Sequence, residues 1–502
     1  MPGRRVATIV TLLFAVLAMA HVGSPDTFFS GQAGPYPVRV SVRLPGAVPG
    51  LAQISVRLPG TPPELIQRVS VQAIQWDLGP EGAPRPDPAR VVPGDRELYA
   101  AELWLMVPTS YRVHVAIEGS NGRGIAVVPV LALATAQREM PPALGFMLAG
   151  LGLFLAVGLL TIVGAASRES TIPPGQAIAS RDRRRARMAM CIAAGVLVLA
   201  VWGGRAWWNL EAFEYARFRL YRPFDAKASV SETGGRRTLS LTVNDARWPP
   251  PAGNVLTRYN ALMPDHGKLM HMFLVREPGL DAFAHLHPVP RTVTPQAFDA
   301  VLPPLPGGNY NVYGDIVHES GYAQTLVAKT FVPGSQVNDG RRNYATDSDP
   351  DDSWFAGASV DEGPAPVFAA PDGVTIAWDR GSAPIVAREE RLLTFKVRDS
   401  DGSPTALEPY MGMAGHAVVA SEDGSVFAHL HPQGSISMAA MQVFEARAGD
   451  ASASPHAAHG GTTGSEITIP YGFPKPGGYR LWVQVKRAGR VITAGFKLTV
   501  VG

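Results

Sequence analysis

The hexapeptide FAHLHP occupies residues 283–288 and recurs unchanged at residues 427–432. A strand-like segment follows each copy, PGGNYNVY at residues 306–313 and PGGYRLW at residues 476–482. Two landmarks in the same order indicate a duplication, and the turn residues before each strand favour β-sandwiches. We therefore predict two homologous β-rich repeats in the second half of the chain.

The composition of the 502-residue chain supports this fold class. Its 52 glycines and 45 prolines are about a fifth of all residues, which favours turn-rich β structure over helix bundles. The formal net charge of +3 gives no overall basic field for nucleic-acid binding. One cysteine excludes internal disulfides, a thiolate zinc cage and an iron–sulfur cluster.

The N-terminus has the pattern of an export signal. Arg4 and Arg5 precede an apolar run, and residues 18–20 (AMA) supply a small-x-small cleavage site before His21. An uncleaved N-terminal anchor is the alternative.

Two further apolar runs, residues 143–166 and 188–208, predict membrane spans. Each approaches the ~20 residues that cross a bilayer. The arginine-rich segment 181–187 lies between them, and short arginine-rich loops belong on the cytoplasmic side. The segments before the first span and after the second are therefore expected outside the cytoplasm.

Together these signals predict all-β exported domains of immunoglobulin-like sandwich type plus two transmembrane helices. Tyr310 and Tyr479 are expected to enter late strands in the manner of the tyrosine corner of such sandwiches. The predicted order is a signal peptide (1–20), an exported β-sandwich (21–140), a transmembrane helix (143–166), a cytoplasmic arginine-rich loop (167–187), a transmembrane helix (188–208), sandwich repeat 1 (225–335), an acidic linker (336–371) and sandwich repeat 2 (372–502).

Histidines are concentrated after the second span, and their spacing in repeat 2 predicts a cluster. The Asp-Gly pair at residues 423–424 is the favoured centre of a two-residue hairpin turn. Pairing outward from that turn places Val418 opposite His429 and His416 opposite His431. Period-two alternation then brings the three imidazoles to one sheet face, close enough to share one ion.

Repeat 1 gives the same triangle from a different turn. With residues 278–280 as a three-residue loop, His271 falls opposite His287 and Phe273 opposite His285. A histidine with only a structural role need not preserve this arrangement in both copies. The sheet face that carries the triangle stays open, because both faces of these hairpins hold apolar residues.

Methionines accompany both triangles. Met270 and Met272 flank the first histidine of repeat 1, and Met411 and Met413 lead into that of repeat 2. Imidazole suits copper, zinc, nickel and iron, whereas thioether selects copper(I) among them. These four methionines and the six histidines are the candidate ligands of a cysteine-free copper site in each repeat.

Other readings stay open. Histidines on a sheet face also serve as hydrogen-bonding groups in half-buried cores, and methionine commonly fills gaps. His456 and His459 lie in a low-complexity insertion and support metal binding only weakly. His21, if cleavage exposes it, could chelate copper through its amine and imidazole with His114 completing a brace. His318, beside Glu319, is expected to be exposed to solvent.

At these motifs the chain resembles known families. The first exported sandwich followed by a span resembles bacterial YtkA-like and FixH-like membrane-anchored domains. The pattern YMGMAGH…FAHLHP, from Tyr410 to Pro432, resembles β-sandwich proteins associated with copper or heavy-metal handling. The resemblance implies a membrane-bound, periplasm-facing accessory protein.

The expected function is therefore metal binding without catalysis. The chain has no Walker loop, no G-x-S-x-G elbow and no H-E-x-x-H motif. We expect a protein of the bacterial inner membrane that captures or buffers copper on the periplasmic side, with a copper transporter or an oxidase-assembly protein as partner and no nucleic acid. The rival is a structural or sensory membrane protein whose sandwiches bind another protein.

Overall fold

The computed structural model describes residues 26–170, 172–173, 175–248, 259–334, 348–448 and 464–502. They form two compact units, one containing the residues up to Ala132 and from Arg222 onwards, the other Leu133–Tyr221. The first unit contains six β-sheets, and the second contains two long helices. The predicted fold class, β-sandwiches with two long apolar helices, is confirmed. The predicted signal peptide and His21 lie outside the described residues.

The first unit begins with the N-terminal sandwich. Its strands are β1 (Thr27–Ala33), β2 (Tyr36–Arg43), β3 (Gly50–Arg57), β4 (Ile66–Gln75), β5 (Asp87–Pro88), β6 (Arg90–Val92), β7 (Asp95–Leu105), β8 (Ser110–Gly119) and β9 (Gly122–Leu131). The two sheets have the orders β1-β2-β3-β7-β6 and β5-β4-β8-β9. Alternation buries Val38, Val40 and Val42 of β2. Tyr111 donates its hydroxyl to the carbonyl of Val107, 3.0 Å away, which is the geometry of a tyrosine corner.

The second unit holds both predicted spans. Helix α1 is Pro142–Glu169 and helix α2 is Ser180–Glu214, followed by a π-helical turn, Tyr215–Arg219. Both helices are long and apolar enough to cross a membrane. The arginine-rich segment 181–187 forms the first turns of α2, so part of the predicted cytoplasmic connection 167–187 is helical. Arginine is a good helix former, so a helix begins there although the segment is polar.

Repeats 1 and 2 complete the first unit. The strands of repeat 1 are β10 (Ala226–Thr233), β11 (Arg236–Val243), β12 (Leu262–Met263), β13 (His271–Glu277), β14 (Ala282–Leu286), β15 (Val289–Arg291), β16 (Thr294–Val301), β17 (Gly308–His318), β18 (Ala323–Val332) and β19 (Ser353–Ala356). Those of repeat 2 are β20 (Val367–Ala369), β21 (Thr375–Trp378), β22 (Ile385–Val386), β23 (Arg391–Arg398), β24 (His416–Ser421), β25 (Phe427–Leu430), β26 (Glu466–Tyr471), β27 (Gly477–Arg487) and β28 (Arg490–Val501), with helix α3 (Met438–Ala448) between β25 and β26.

The two repeats share one topology. One sheet has the order β10-β11-β16 in repeat 1 and β21-β23-β26 in repeat 2. The other has the order β18-β17-β13-β14 in repeat 1 and β28-β27-β24-β25 in repeat 2. Tyr310 donates its hydroxyl to the carbonyl of Pro306, and Tyr479 donates to that of Lys475, at 2.8 Å in each case. Both are tyrosine corners, as the sequence predicts.

The predicted acidic linker, residues 336–371, is partly structured. Its residues 336–347 lie outside the described part of the chain. Beyond them, β19 pairs with β14 of repeat 1, and β20 pairs with β21 of repeat 2. Phe355 of β19 is buried in the cluster between the repeats. The linker therefore adds an edge strand to each repeat, because its apolar residues find partners there.

A hydrophobic interface joins the two repeats through aromatic pairs. Phe283 of repeat 1 stacks on Trp482 of repeat 2, with ring centroids 4.7 Å apart and planes at 12°. Phe427 of repeat 2 stacks on Tyr313 of repeat 1 at 4.0 Å and 13°. These positions correspond in the two repeats, so the interface has approximate two-fold symmetry. The buried residues of this interface are Phe273, Val275, Leu280, Phe283, Tyr313, Phe355, Val418, Ala420, Phe427 and Trp482.

Candidate metal centre

The predicted hairpins have the predicted registers. Phe273 pairs with His285 in repeat 1, and Val418 pairs with His429 in repeat 2. The Asp-Gly turn and the longer turn of repeat 1 therefore lead to the same arrangement. Local turn chemistry is enough to set these pairs, because each hairpin closes over a few residues.

The histidines lie on the face that each repeat turns toward the other. Along β13, Met272 and Leu274 belong to the core of repeat 1, whereas Phe273 and Val275 belong to the interface. His271 has the same parity as Phe273, so its imidazole enters the interface. The question that the sequence left open is thereby answered.

Seven imidazoles meet at this interface in one buried cluster. Their side chains are buried. Those of His266 and His429, for example, are 4% and 7% exposed. Neighbouring ring centroids are separated by 4.5 Å for His429 and His431, and by 4.6 Å for His285 and His287. The members are His266, His271, His285, His287, His416, His429 and His431.

Three imidazoles of repeat 1 form the first triad, His271, His285 and His287, whose nitrogens lie within 4.8 Å of one another. Each ring has an oxygen acceptor for one nitrogen. Nε2 of His271 lies 3.1 Å from the carbonyl oxygen of Asp265, and Nδ1 of His285 lies 3.0 Å from Oε1 of Gln484. Nδ1 of His287 lies 3.0 Å from Oδ1 of Asp352.

These contacts fix which nitrogens of the first triad are available. Because each acceptor oxygen needs an N–H donor, the opposite nitrogen of each ring carries the lone pair. Nδ1 of His271 and Nε2 of His285 are 3.1 Å apart. Two nitrogens that bind one ion at ~2.0–2.1 Å lie at about this separation. The first triad therefore has the arrangement of a preformed three-nitrogen site.

The second triad is His266, His416 and His431, and it draws on both repeats. Nδ1 of His431 donates to the carbonyl oxygen of Ile436, 2.9 Å away, which leaves Nε2 for a ligand. The predicted triangle of repeat 2 is thus rearranged, with His266 of repeat 1 in the place expected for His429. His429 lies next to both triads, 4.5 Å from His431 and 5.3 Å from His271 between ring centroids.

His266 comes from a turn that sequence reasoning did not use. Residues 265–268 form a tight turn with φ of 52° at His266, and residues 410–413 form the same turn with φ of 49° at Met411. Both turns end three residues before the first histidine of the repeat. His-Gly and Met-Gly at equivalent positions of the duplication were a signal that could have located this ligand.

The methionines divide into two groups. Met270 and Met272 are in the hydrophobic core of repeat 1, on the opposite sheet face from His271. The prediction that Met270 and Met272 lie beside the imidazoles is wrong, because residues that flank His271 along the strand point to the other face of the sheet. Met411 and Met413 lie in the turn before His416, where Met413 is buried.

Burial favours the neutral form of five imidazoles in the cluster. The pKa values of His271, His285, His416 and His431 lie well below the usual range, because of burial and the neighbouring imidazoles. Burial lowers the pKa of His429 to about 3. Neutral imidazole is the form that binds metal ions.

Two carboxyl groups adjoin the cluster. Oδ1 of Asp265 lies 4.0 Å from Nε2 of His266 and accepts the backbone N–H of Ala439, at the start of α3. Oδ2 of Asp315 lies 3.6 Å from Nδ1 of His429. Burial raises the pKa of both carboxyl groups, to about 7 for Asp315.

A third group leads from the cluster toward solvent. It comprises His287, Asp349 and Asp352, whose ligand atoms also lie within 4.8 Å of one another. The side chain of Asp349 is 23% exposed, whereas that of Asp352 is 4% exposed. Lys268 forms an ion pair with Asp349 at the outer side. His287 therefore connects the buried triad with a more accessible pair of carboxylates.

The remaining histidines have other positions. The prediction for His318 is wrong, since its side chain is fully buried and its Nδ1 lies 2.6 Å from the carbonyl oxygen of Asn260. Apolar neighbours, not the adjacent glutamate, decide its position. His114 lies on β8 of the N-terminal sandwich. His456 and His459 lie outside the described residues.

Comparison with known proteins adds one family. Residues 369–502, which contain repeat 2, match a family described as "Domain of unknown function (DUF8832)". No curated protein matches the chain.

Three of the solved structures that match the chain do so at TM-scores below 0.2. A bacterial ice-binding adhesin shares 8% identity at a TM-score of 0.13, over 90% of this chain and 91% of that chain. The chicken CNTN1 FN1-FN3 domains share 7% identity at a TM-score of 0.14, over 92% of this chain and 97% of that chain. The alpha-2-macroglobulin of E. coli shares 10% identity at 0.19, over 96% of this chain and 23% of that chain. Similarities this low imply nothing about function.

Proposed function

We propose that the protein is a membrane-anchored accessory protein that binds a transition-metal ion, copper above all, between its two repeats. One observation carries this proposal. Among the described residues, Nε2 of His266, His287, His429 and His431 and both nitrogens of His416 are buried without a hydrogen-bond partner. Each such orphaned group costs about 1–3 kcal/mol. A bound ion would give these nitrogens a partner.

The outer contacts of the first triad support the proposal. Metal-binding histidines donate their second nitrogen to a carboxylate, a carbonyl or a similar acceptor, which fixes the tautomer and the ring orientation. His271, His285 and His287 each have such an acceptor.

Copper is favoured by the ligands and by the expected compartment. Imidazole suits copper, zinc, nickel and iron, and copper(II) has the highest affinity in the divalent series. The thioether argument for copper(I) now depends on Met411 and Met413 alone. We propose capture and transfer on the periplasmic side of the inner membrane, with a copper transporter or an oxidase-assembly protein as the receiver, rather than catalysis.

Metal titration of the full-length protein in detergent tests this function. After chelator treatment, we expect it to bind copper(I) and copper(II) tightly. Replacing His285 with alanine is expected to weaken binding by about 100-fold or more, since it removes a ligand and its ordered contact. Asp299→Ala, which removes a carboxylate on β16 outside the cluster, is the control. Folded protein that binds no copper would overturn the proposal and favour the rival, a protein-binding module with structural histidines.

Asp352 gives a second test that leaves every imidazole in place. Asp352→Ala removes the acceptor of His287 Nδ1 and is expected to weaken copper binding by about 10–100-fold. Asp299→Ala, which removes a carboxylate paired with Arg291 elsewhere in repeat 1, is expected to leave the affinity unchanged. Equal affinities of the two variants, measured by competition with a chelator, would contradict this role of Asp352.

The proposed topology has its own test. Reporter tags inserted at residue 175 and fused after residue 502 are expected to report opposite sides of the membrane. The reason is the arginine bias of the segment between the spans, which holds it in the cytoplasm. A cytoplasmic C-terminus would contradict capture of exported copper, because the cluster would face the wrong compartment.

A further inference from the structure

His429 is the one imidazole of the cluster that belongs to neither triad. Its ring centroid lies 5.3 Å from that of His271 and 5.5 Å from that of His285, both in the first triad. It lies 5.4 Å from His416 and 4.5 Å from His431, both in the second. Its Nε2 is buried without a partner. The ring therefore lies between the two sets of ligands.

The triads themselves are neighbours. The ring centroids of His266 and His271 are 6.0 Å apart, and those of His285 and His416 are 6.4 Å apart. Each of these pairs joins one triad to the other. Ions held by the two triads would therefore lie close to each other.

Two carboxyl groups would provide countercharge once cations are bound, because a nearby cation lowers the pKa that burial raises. Asp265 adjoins His266 of the second triad, and its carbonyl oxygen accepts from His271 of the first. Asp315 adjoins His429. Two cations placed side by side in a buried site repel each other strongly, and nearby carboxylates offset that repulsion. A centre for a single ion would have little use for two such groups.

We propose that the seven imidazoles form one coupled two-ion centre, in which each triad holds an ion and His429 binds between them. This inference rests on the proposed function and specifies the number of ions and their coupling. It replaces the expectation of an independent site in each repeat. Because His266 comes from repeat 1, neither repeat alone supplies the full set of ligands.

Electron paramagnetic resonance of the full-length protein loaded with copper(II) tests this inference. One equivalent is expected to give the spectrum of a mononuclear, nitrogen-ligated ion. Two equivalents are expected to give a coupled pair, seen as a half-field transition or as an intensity well below two spins. Saturation at one ion, or two ions with full uncoupled intensity, would overturn the two-ion centre and leave the proposed function standing. No bound copper would overturn the proposed function itself.

The variant His429→Ala tests the position between the ions. We expect the first ion to bind nearly as in the wild type and the second to bind about 5- to 150-fold more weakly, the range typical of coupled sites. Asp299→Ala, outside the cluster on β16, is the control, and circular dichroism reports folding. If the alanine variant does not fold, His429→Gln keeps most of the volume and removes the imidazole. Unchanged binding of both ions in a folded variant would overturn the role of His429.

Discussion

Acidification of the metal-free protein from pH 7 to pH 5 is expected to unfold repeats 1 and 2. Six buried imidazoles have a lowered pKa, those of His271, His285, His318, His416, His429 and His431. In the unfolded chain the same groups take up protons near pH 6.5. Below that pH the unfolded state binds more protons than the folded state, so the free energy of unfolding falls as the pH falls.

The size of this effect follows from the proton count. Each such histidine contributes about 1.4 kcal/mol per pH unit below pH 6.5. The raised pKa values of Asp265 and Asp315 act in the opposite direction and offset at most two of the six protons. The remaining four correspond to about 5.5 kcal/mol per pH unit. Between pH 6.5 and pH 5 this amounts to about 8 kcal/mol, which is comparable to a typical stability of ~5–15 kcal/mol.

Denaturant titrations at pH 7.5, 6.5 and 5.5 measure this slope. Replacing His429 with leucine removes one titrating group and is expected to reduce the slope by about 1.4 kcal/mol per pH unit. Bound copper is expected to move the transition to lower pH, because protons compete with the ion for the ligands. A stability that does not depend on pH in this range would contradict the account.

The fold could be predicted from the sequence because its signals are local. The duplicated FAHLHP and PGG segments identify two related sandwiches, and the Asp-Gly turn at 423–424 sets the pairing of Val418 with His429. The tyrosine corners at Tyr310 and Tyr479 follow from the same segments. Each of these features depends on residues a few positions apart, so one sequence contains enough information.

The site could be predicted only in part, because it is made by the packing of one repeat on the other. Sequence alone places His271, His285 and His287 on one face, but it does not show that this face meets the second repeat. The sequence did contain one indication of that contact. Phe283 and Phe427 are large aromatic residues that alternate onto the same sheet face as the histidines. An outward sheet face that carries such side chains needs a covering partner.

The errors have physical reasons that the sequence contains. Met270 and Met272 flank His271, so the alternation that brings histidines together sends these methionines to the other face. His266 was undervalued because it lies in a turn, where period-two reasoning does not apply. Its left-handed backbone directs it across the interface to the ligands of repeat 2.

Loss of the Trp482 side chain is expected to damage both the fold and the metal centre. Trp482 is fully buried and stacks on Phe283 across the interface. Replacing a buried tryptophan with alanine costs about 3–5 kcal/mol. Phe283 precedes His285 by two residues on β14, and Trp482 pairs with Val418, two residues from His416 on β24. The cavity left by the indole therefore opens beside ligands of both triads.

A matched variant separates these two effects. Trp378 is equally buried, but it lies on β21 in the core of repeat 2 and stacks on Phe395 of that core. Trp378→Ala is expected to reduce the free energy of unfolding by a similar amount, about 3–5 kcal/mol, while the copper affinity of the folded protein stays within a few fold of wild type. Trp482→Ala is expected to weaken copper binding by at least about 10-fold, since ligands from two repeats lose their common support. Denaturant titration gives the first quantity, and chelator competition at low temperature gives the second. Wild-type copper affinity in both variants would show that the centre does not depend on the packing of the two repeats. That result would contradict a metal centre whose ligands come from both repeats.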